Sequence, residues 1–284
     1  MNPNASQPAP ITPAKSLSWS GRTDRGKVRP NNEDAFLGIR FDAREVQRLG
    51  RHGESSLEHA DFVFAVSDGM GGAKAGEFAS RLTVEKITTL LPRSFEASRR
   101  APSGGFTAVL VELFDQIHRT LAYLGGSYEE CSGMECTLSM CWFTPGWMYF
   151  GHIGDGRIYH LSARQPVLKQ LTEDDTHVGW LRRTGKLNER EARSHPGRTV
   201  LQKSLGGTNQ FVKPQVGALQ PQPGDLFLLC TDGLAEGLHD SLLEEMLRSI
   251  QNAPPAADPS IRLVETSLAG DGRDNTTALI VQMF

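Results

Sequence analysis

The stretch Phe62-Val63-Phe64-Ala65-Val66-Ser67-Asp68-Gly69-Met70-Gly71-Gly72 decides how this chain is read. An apolar run ends in an acid and then in glycines. Phe62 to Val66 is short and rich in β-branched and aromatic side chains, so it is predicted to be a buried strand. Asp68 is then a carboxylate at the strand's exit, held still by the structure around it. The glycines after it let backbone carbonyls approach something small, such as a metal ion or a phosphate. Taken alone, the stretch is better read as a strand followed by a tight turn, because Asp-Gly is a common turn dipeptide.

The device recurs. Leu226 to Cys230 followed by Thr231-Asp232-Gly233 repeats it, and Met148 to Ile153 followed by Gly154-Asp155-Gly156 is a third version. Near the end, Asp274-Asn275 leads into Thr276 to Val281, so there the acid enters a strand. Acids at strand ends, far apart along the chain, can converge in space. A cluster of aspartates suits hard cations such as magnesium or manganese, which take oxygen ligands.

The bulk numbers set limits. The 284 residues are 38% hydrophobic and 22% charged, as in globular proteins. A net charge of -3, with Lys and Arg scattered, gives no basic footprint for nucleic acid. No apolar run approaches a membrane span, and Met1 to Ala14 has neither the basic start nor the apolar segment of a signal peptide. The four cysteines, Cys131, Cys136, Cys141 and Cys230, lack CxxC spacing. Reduced, buried thiols in a cytoplasmic protein are therefore expected, and a zinc site is not.

Along the chain, residues 1–16 are predicted to be a disordered tail and 17–284 a single domain. Trp19 to Thr23 begins a strand, Glu33 to Ile39 resumes extended structure, and Arg40 to Asp61 reads as an exposed, irregular excursion. Gly76 to Leu91 is predicted helical and stopped by Pro92, with a loop from Arg93 to Gly104. Phe106, Val109, Leu110, Leu113, Phe114, Ile117, Leu121 and Leu124 hold helical spacing over Gly105 to Leu124. Short strands at Thr137–Phe143, Trp147–Ile153, Arg157–Leu161 and Val167–Leu171 read as a meander. Residues 173–207 turn polar, with helical pieces near Val178–Arg183 and Asn188–Arg193, as in a flap. A strand at Asp225–Thr231, helices at Asp240–Ile250 and Ile261–Leu268, a Pro-rich loop at 253–259 between them and a last strand at Thr276–Phe284 complete an α+β fold.

Taken together, Arg29…Glu33-Asp34-Ala35, Asp68-Gly69-Met70-Gly71-Gly72, Ile153-Gly154-Asp155-Gly156-Arg157-Ile158-Tyr159, Thr231-Asp232-Gly233-Leu234 and Asp274-Asn275-Thr276-Thr277 resemble, in order and spacing, the metal-dependent Ser/Thr protein phosphatases of type 2C. The flap segment Leu171-Thr172-Glu173-Asp174-Asp175…His195-Pro196 looks like the bacterial branch. The resemblance implies a β-sandwich of two antiparallel sheets flanked by helices (αββα), with a flap insertion. It implies that Asp68 bridges two manganese or magnesium ions, that the Gly69 carbonyl binds one, and that Asp232 and Asp274 complete the second ion's shell. Glu33 and Asp34 would hold metal-bound waters, Asp155 with Asp232 the third ion of bacterial members, and Arg29 the substrate phosphate. The implied reaction is direct attack of a metal-bridging water on phosphoserine or phosphothreonine, in a monomer that opposes a cognate Ser/Thr kinase.

Two positions depart from the family pattern. Eukaryotic members carry a His after the first Asp-Gly, and Met70 stands there. Bacterial relatives usually read Met-Gly-Thr-Thr where this chain has Met134-Glu135-Cys136-Thr137. Three blander readings stay open: Gly154-Asp155-Gly156 as a simple hairpin turn, Arg29 as a solvated charge, and Glu33 and Asp34 as ordinary turn acids. A different class, a binding module that has lost turnover, also fits. The eight histidines show no metal-ligand spacing, and Arg99-Arg100 and Arg182-Arg183 read as solvated.

Overall fold

Strand β5 (Asp61–Met70) explains its own composition. Val63 and Ala65 face a core shared with helices, while Phe62, Phe64 and Val66 face a second core shared with another sheet. A strand covered on both faces reads as a continuous apolar run rather than an alternating one. The computed structural model describes residues 13–100, 105–165, 167–208, 212–252 and 258–284.

Among the described residues, β5 belongs to an eight-stranded sheet. Its path is β11 (Leu205–Gly206), β6 (Glu135–Cys136), β5, β7 (Leu138–Thr144), β8 (Trp147–Ile153) and β12 (Gln215–Leu219), with β2 (Asp34–Phe41) and β3 (Val46–Arg48) joined through β5. The other sheet has six strands in the order β10 (Leu168–Gln170), β9 (Arg157–Leu161), β13 (Leu226–Cys230), β14 (Thr276–Met283), β1 (Ser16–Asp24) and β4 (His52–Ser56). Pairing is antiparallel throughout both.

Trp19, Phe62, Phe64, Phe143, Phe227 and Val281 are among the side chains packed between the sheets. Helices α1 (Ala73–Arg100) and α2 (Gly105–Ser127) cover the eight-stranded sheet. Helices α5 (Asp232–Gly237), α6 (Asp240–Asn252) and α7 (Pro259–Gly270) cover the other. This is the expected sandwich of two antiparallel sheets between helical layers. No helix of the described residues is long and apolar enough to cross a membrane.

Several local expectations are corrected. Pro92 does not stop its helix, which continues to Arg100 with the proline inside. Ile87 and Leu91, in the turn or so before the proline, are fully buried and anchor that part of the helix, and the proline removes one helix hydrogen bond without ending it. The segment Arg40–Asp61 is exposed as expected but carries β3 and β4. The meander is two separate hairpins: β7–β8 lie in one sheet and β9–β10 in the other. Strand β12 and helix α5 were not anticipated. Much of the N-terminal tail (residues 1–12) and of the 253–259 loop (residues 253–257) lies outside the described residues. So do the side chains of Arg99 and Arg100. Ser16 already belongs to β1, and Pro259 already opens α7.

Candidate active site

The two sheets deliver their acids to one place. Asp34 opens β2 and sits directly opposite Asp68 in the β2–β5 register. Asp68 is not at a strand exit, because β5 continues through Gly69 and Met70 to pair with Cys136 and Glu135. From the six-stranded sheet, Asp232 follows β13 as the first residue of α5, and Asp274 stands just before β14. Asp155 lies where the chain passes from β8 in one sheet to β9 in the other, so its Gly-Asp-Gly is a crossing and not a hairpin turn.

Asp34 and Asp68 are held by hydrogen bonds from threonines. Asp34 is buried, and its Oδ2 accepts from the hydroxyls of Thr231 (2.8 Å) and Thr277 (2.6 Å). These are the small residues beside Asp232 and Asp274 in the motifs, a supporting role the sequence reading missed. Asp68 is fixed through its backbone, where N–H donates to Thr137 Oγ1 (3.0 Å) and the carbonyl accepts from Thr137 N–H (2.8 Å). Gly69 is a glycine because the start of α1 crosses there: a Cβ would lie 1.9 Å from the Gly76 carbonyl oxygen.

The electrostatics are one-sided. Burial raises the Asp68 carboxyl well above its ordinary pKa, and Asp34, Asp232, Asp155 and Asp274 raise it further. Burial does the same to Asp232, reinforced by Asp155, Asp274, Glu236 and Asp34. Asp155 is raised by burial and by Asp174, with Arg157 pulling back. Asp34 is raised by burial, and the two threonine hydroxyls offset only part of this. Glu33 is raised by burial and lowered by Arg29. Arg29 is half exposed, and its Nη2 donates to Asp274 Oδ2 at 2.7 Å.

These residues fit divalent cations. Asp34 Oδ1 and Asp232 Oδ1 are buried oxygens with no hydrogen-bond partner, which is costly unless something positive meets them. The donors are all oxygen, the set that magnesium and manganese prefer. Among the described residues, no three His, Cys, Asp or Glu side chains are already drawn into a ready shell for one ion. Asp274 is turned onto Arg29 and Asp34 onto its threonines, so closing a shell takes side-chain movement.

The flap is clipped to the same site. It contains α3 (His177–Arg183) and α4 (Glu189–Ser194) and returns to the sheet as β11. At its base, Arg157 makes a two-pronged pair with Asp174, Nε to Oδ1 at 3.0 Å and Nη2 to Oδ2 at 2.7 Å. Asp175 accepts from Lys203 Nζ (2.7 Å) and from Gly154 N–H (3.2 Å), tying both flap ends to the Asp155 crossing. Between the flap and α5 lies a cleft of about 500 Å³ lined by Asp155, Asp232, Arg157, Asp174, Arg198 and Glu236 among others. Arg182 and Arg183 are not merely solvated, since they pair with Asp240 (3.7 Å) and Glu173 (3.1 Å). Glu135 accepts from Ser204 Oγ at 2.6 Å, at the flap's return.

Two buried histidines are tied into hydrogen bonds. His152 donates from Nε2 to the Gly154 carbonyl (3.0 Å), which leaves Nδ1 to accept from Ser139 (2.8 Å). His118 Nδ1 accepts from Gly206 N–H at 3.1 Å. All four cysteines are free and buried.

Comparison with known proteins agrees with this geometry. The family model for protein phosphatase 2C matches residues 51–269. The Serine/threonine protein phosphatase PstP of Mycobacterium tuberculosis is 32% identical over 268 residues, covering 94% of this chain and 45% of PstP, so the chain spans about half that relative's length. The Serine/threonine phosphatase stp of Listeria monocytogenes is 29% identical over 92% of this chain and 94% of its own. A crystal structure of the PstP catalytic domain in complex with 2 manganese ions superposes with a TM-score of 0.72 at 29% identity, covering 94% of this chain and 99% of that one. With the sandwich, the acids it gathers and these likenesses in agreement, the chain belongs to the protein phosphatase 2C family.

Proposed function

We propose that the protein is a metal-dependent phosphatase acting on phosphoserine and phosphothreonine in proteins, and that it opposes a Ser/Thr kinase. One observation carries this reading: buried carboxylates from both sheets raise one another's pKa beside the half-exposed guanidinium of Arg29. Such a centre calls for divalent ions, and an arginine at its rim can donate paired, permanently charged hydrogen bonds to phosphate oxygens.

Asp68, with the Gly69 carbonyl, Asp232 and Asp274, would hold two manganese or magnesium ions. Asp155 with Asp232 would hold a third, and Glu33 and Asp34 would orient waters. When bound, a pair of divalent ions lowers the pKa of water and neutralises charge on the phosphoryl group. Arg29 would leave Asp274 to orient the phosphate. Thr231 and Thr277 hold Asp34 in register, and the flap forms one wall of the cleft. Residues 17–284 would act as one catalytic domain, monomeric and cytoplasmic.

The direct test is release of phosphate from a phosphothreonine peptide with manganese present, in the chain and in Asp68→Asn. Phosphate release that survives in Asp68→Asn at full rate would overturn the assignment. A silent binding module is not favoured, because Glu135, the residue that suggested it, is engaged with Ser204 and not with the acids.

A further inference from the structure

Asn275 follows a proposed ligand but stands outside the acid cluster. Its side chain is buried and spends its polar atoms on backbone. Oδ1 accepts from Glu33 N–H at 2.7 Å, and Nδ2 donates to the carbonyls of Arg25 (2.8 Å) and Asn31 (3.0 Å). These three groups bracket the loop between β1 and β2, the segment that carries Arg29. Elsewhere the loop meets the chain before β14 through Lys27 N–H on the Gly272 carbonyl (2.7 Å). It also meets it at Gly26, where φ is +79° and a Cβ would lie 2.3 Å from the Asp274 carbonyl oxygen. The Lys27 and Gly26 contacts lie before Arg29, whereas Asn275 is bonded to residues on both sides of it, tying the start and the end of the segment to the residue beside Asp274. A primary amide supplies one acceptor and two donors from a single planar group, which a carboxylate of the same shape does not.

We propose that Asn275 is a positioning residue that fixes the Arg29 loop against Asp274, so that phosphate and ions are met in one geometry. The proposal rests on the reading of Arg29 as the phosphate ligand. Productive geometry in such sites is held within about 0.5 Å, and loops keep that precision only when anchored.

The test uses Asn275→Ala and Asn275→Asp. The second keeps the volume and the acceptor for Glu33 N–H but loses both donors, and it carries the same readouts where the first does not fold. In the metal-free chain, hydrogen exchange at the backbone amides of residues 25–33 is expected to quicken at least about tenfold while β14 is unchanged. With manganese and a phosphothreonine peptide, KM is expected to rise about tenfold with kcat changed less than about threefold. In an Arg29→Ala background the same substitution is expected to add no further rise in KM. Unchanged exchange at 25–33 overturns the clasp. An equal KM factor with Arg29 already removed overturns the route through Arg29. If Arg29→Ala alone leaves KM unchanged, the phosphate reading of Arg29 fails, and the exchange result still decides the clasp.

Discussion

Arg29 and Asp274, 245 positions apart, are joined by a 2.7 Å bond from Nη2 to Oδ2. The same bond is the largest cause raising the arginine's pKa. The candidate phosphate ligand is thus the internal counter-ion of a candidate metal ligand. On the proposed roles, a guanidinium and a cation would compete for Asp274, while phosphate would compete with Asp274 for the guanidinium.

Replacing Arg29 by alanine should therefore move two affinities in opposite directions. Charge-assisted hydrogen bonds contribute about 1.5–3 kcal/mol, so KM for a phosphopeptide should rise roughly 10- to 100-fold. Manganese should bind Asp274 more tightly, by a few-fold only, because the pair is half exposed and screened by solvent. Steady-state kinetics and calorimetric titration check the two halves, and weaker manganese binding in the variant would contradict the competition.

Manganese should stabilise the chain, and the acids should be the route. A ligand present at about one hundred times its Kd adds about 2.7 kcal/mol to the stability of the folded state. Asp232→Asn removes a carboxylate that bears an unpartnered buried oxygen. In that variant most of the manganese-dependent gain in urea melts should vanish, and a chelator should make little further difference. An undiminished gain would place the ions elsewhere.

Part of this site was legible along the chain and part was not. Asp68, Asp155 and Asp232 stood out because each follows an apolar run and is followed by glycine, and Asp274 because it leads into one, all of them local signals. The sheet to which each strand belongs is set by pairing across long separations, so β8–Asp155–β9 looked like a turn and proved to be a crossing. Asp232-Gly233 likewise reads as a turn but opens α5, because Gly233 packs where a Cβ would sit 2.0 Å from the Asn275 carbonyl oxygen. Pro92 is a helix stop by propensity but lies inside α1. The threonines on Asp34 and the Arg157–Asp174 pair depend on partners that only the folded chain brings together.

That Arg157–Asp174 pair should matter most when half of it is removed. Both side chains are mostly buried, and the guanidinium grips both carboxylate oxygens. Burial alone would raise Asp174, but Arg157 outweighs it and holds the carboxyl below its ordinary pKa. Asp174→Ala leaves an uncompensated buried charge and should cost about 3–5 kcal/mol, while replacing both residues by apolar ones of similar volume should cost much less. Urea denaturation of the two single variants and the double variant measures the difference.

Asp225 provides a pH probe remote from the acid cluster. Its carboxylate accepts from His160 Nε2 (3.0 Å), Ala163 N–H (2.9 Å) and Gln222 N–H (3.0 Å). Burial pushes its pKa up, and these bonds more than reverse the effect, so it lies below the ordinary value. The stabilisation it gives is therefore complete above the unfolded pKa, about 3.9, and is lost as pH falls through the lower native one. Asp225→Asn should cost about 1–3 kcal/mol at pH 7, and the gap to the parent chain should narrow in acid. A gap that widens below pH 4 would reverse the assigned sign.

Because β2 and β5 supply some of the acids and the neighbours of β13 and β14 supply the others, an ion bound among them would rivet one layer of the sandwich to the other. Its affinity would then gauge how the layers are aligned. Trimming Phe143 or Phe227, whose rings meet at 5.3 Å between the sheets, would register as altered cation binding although neither side chain is among the acids.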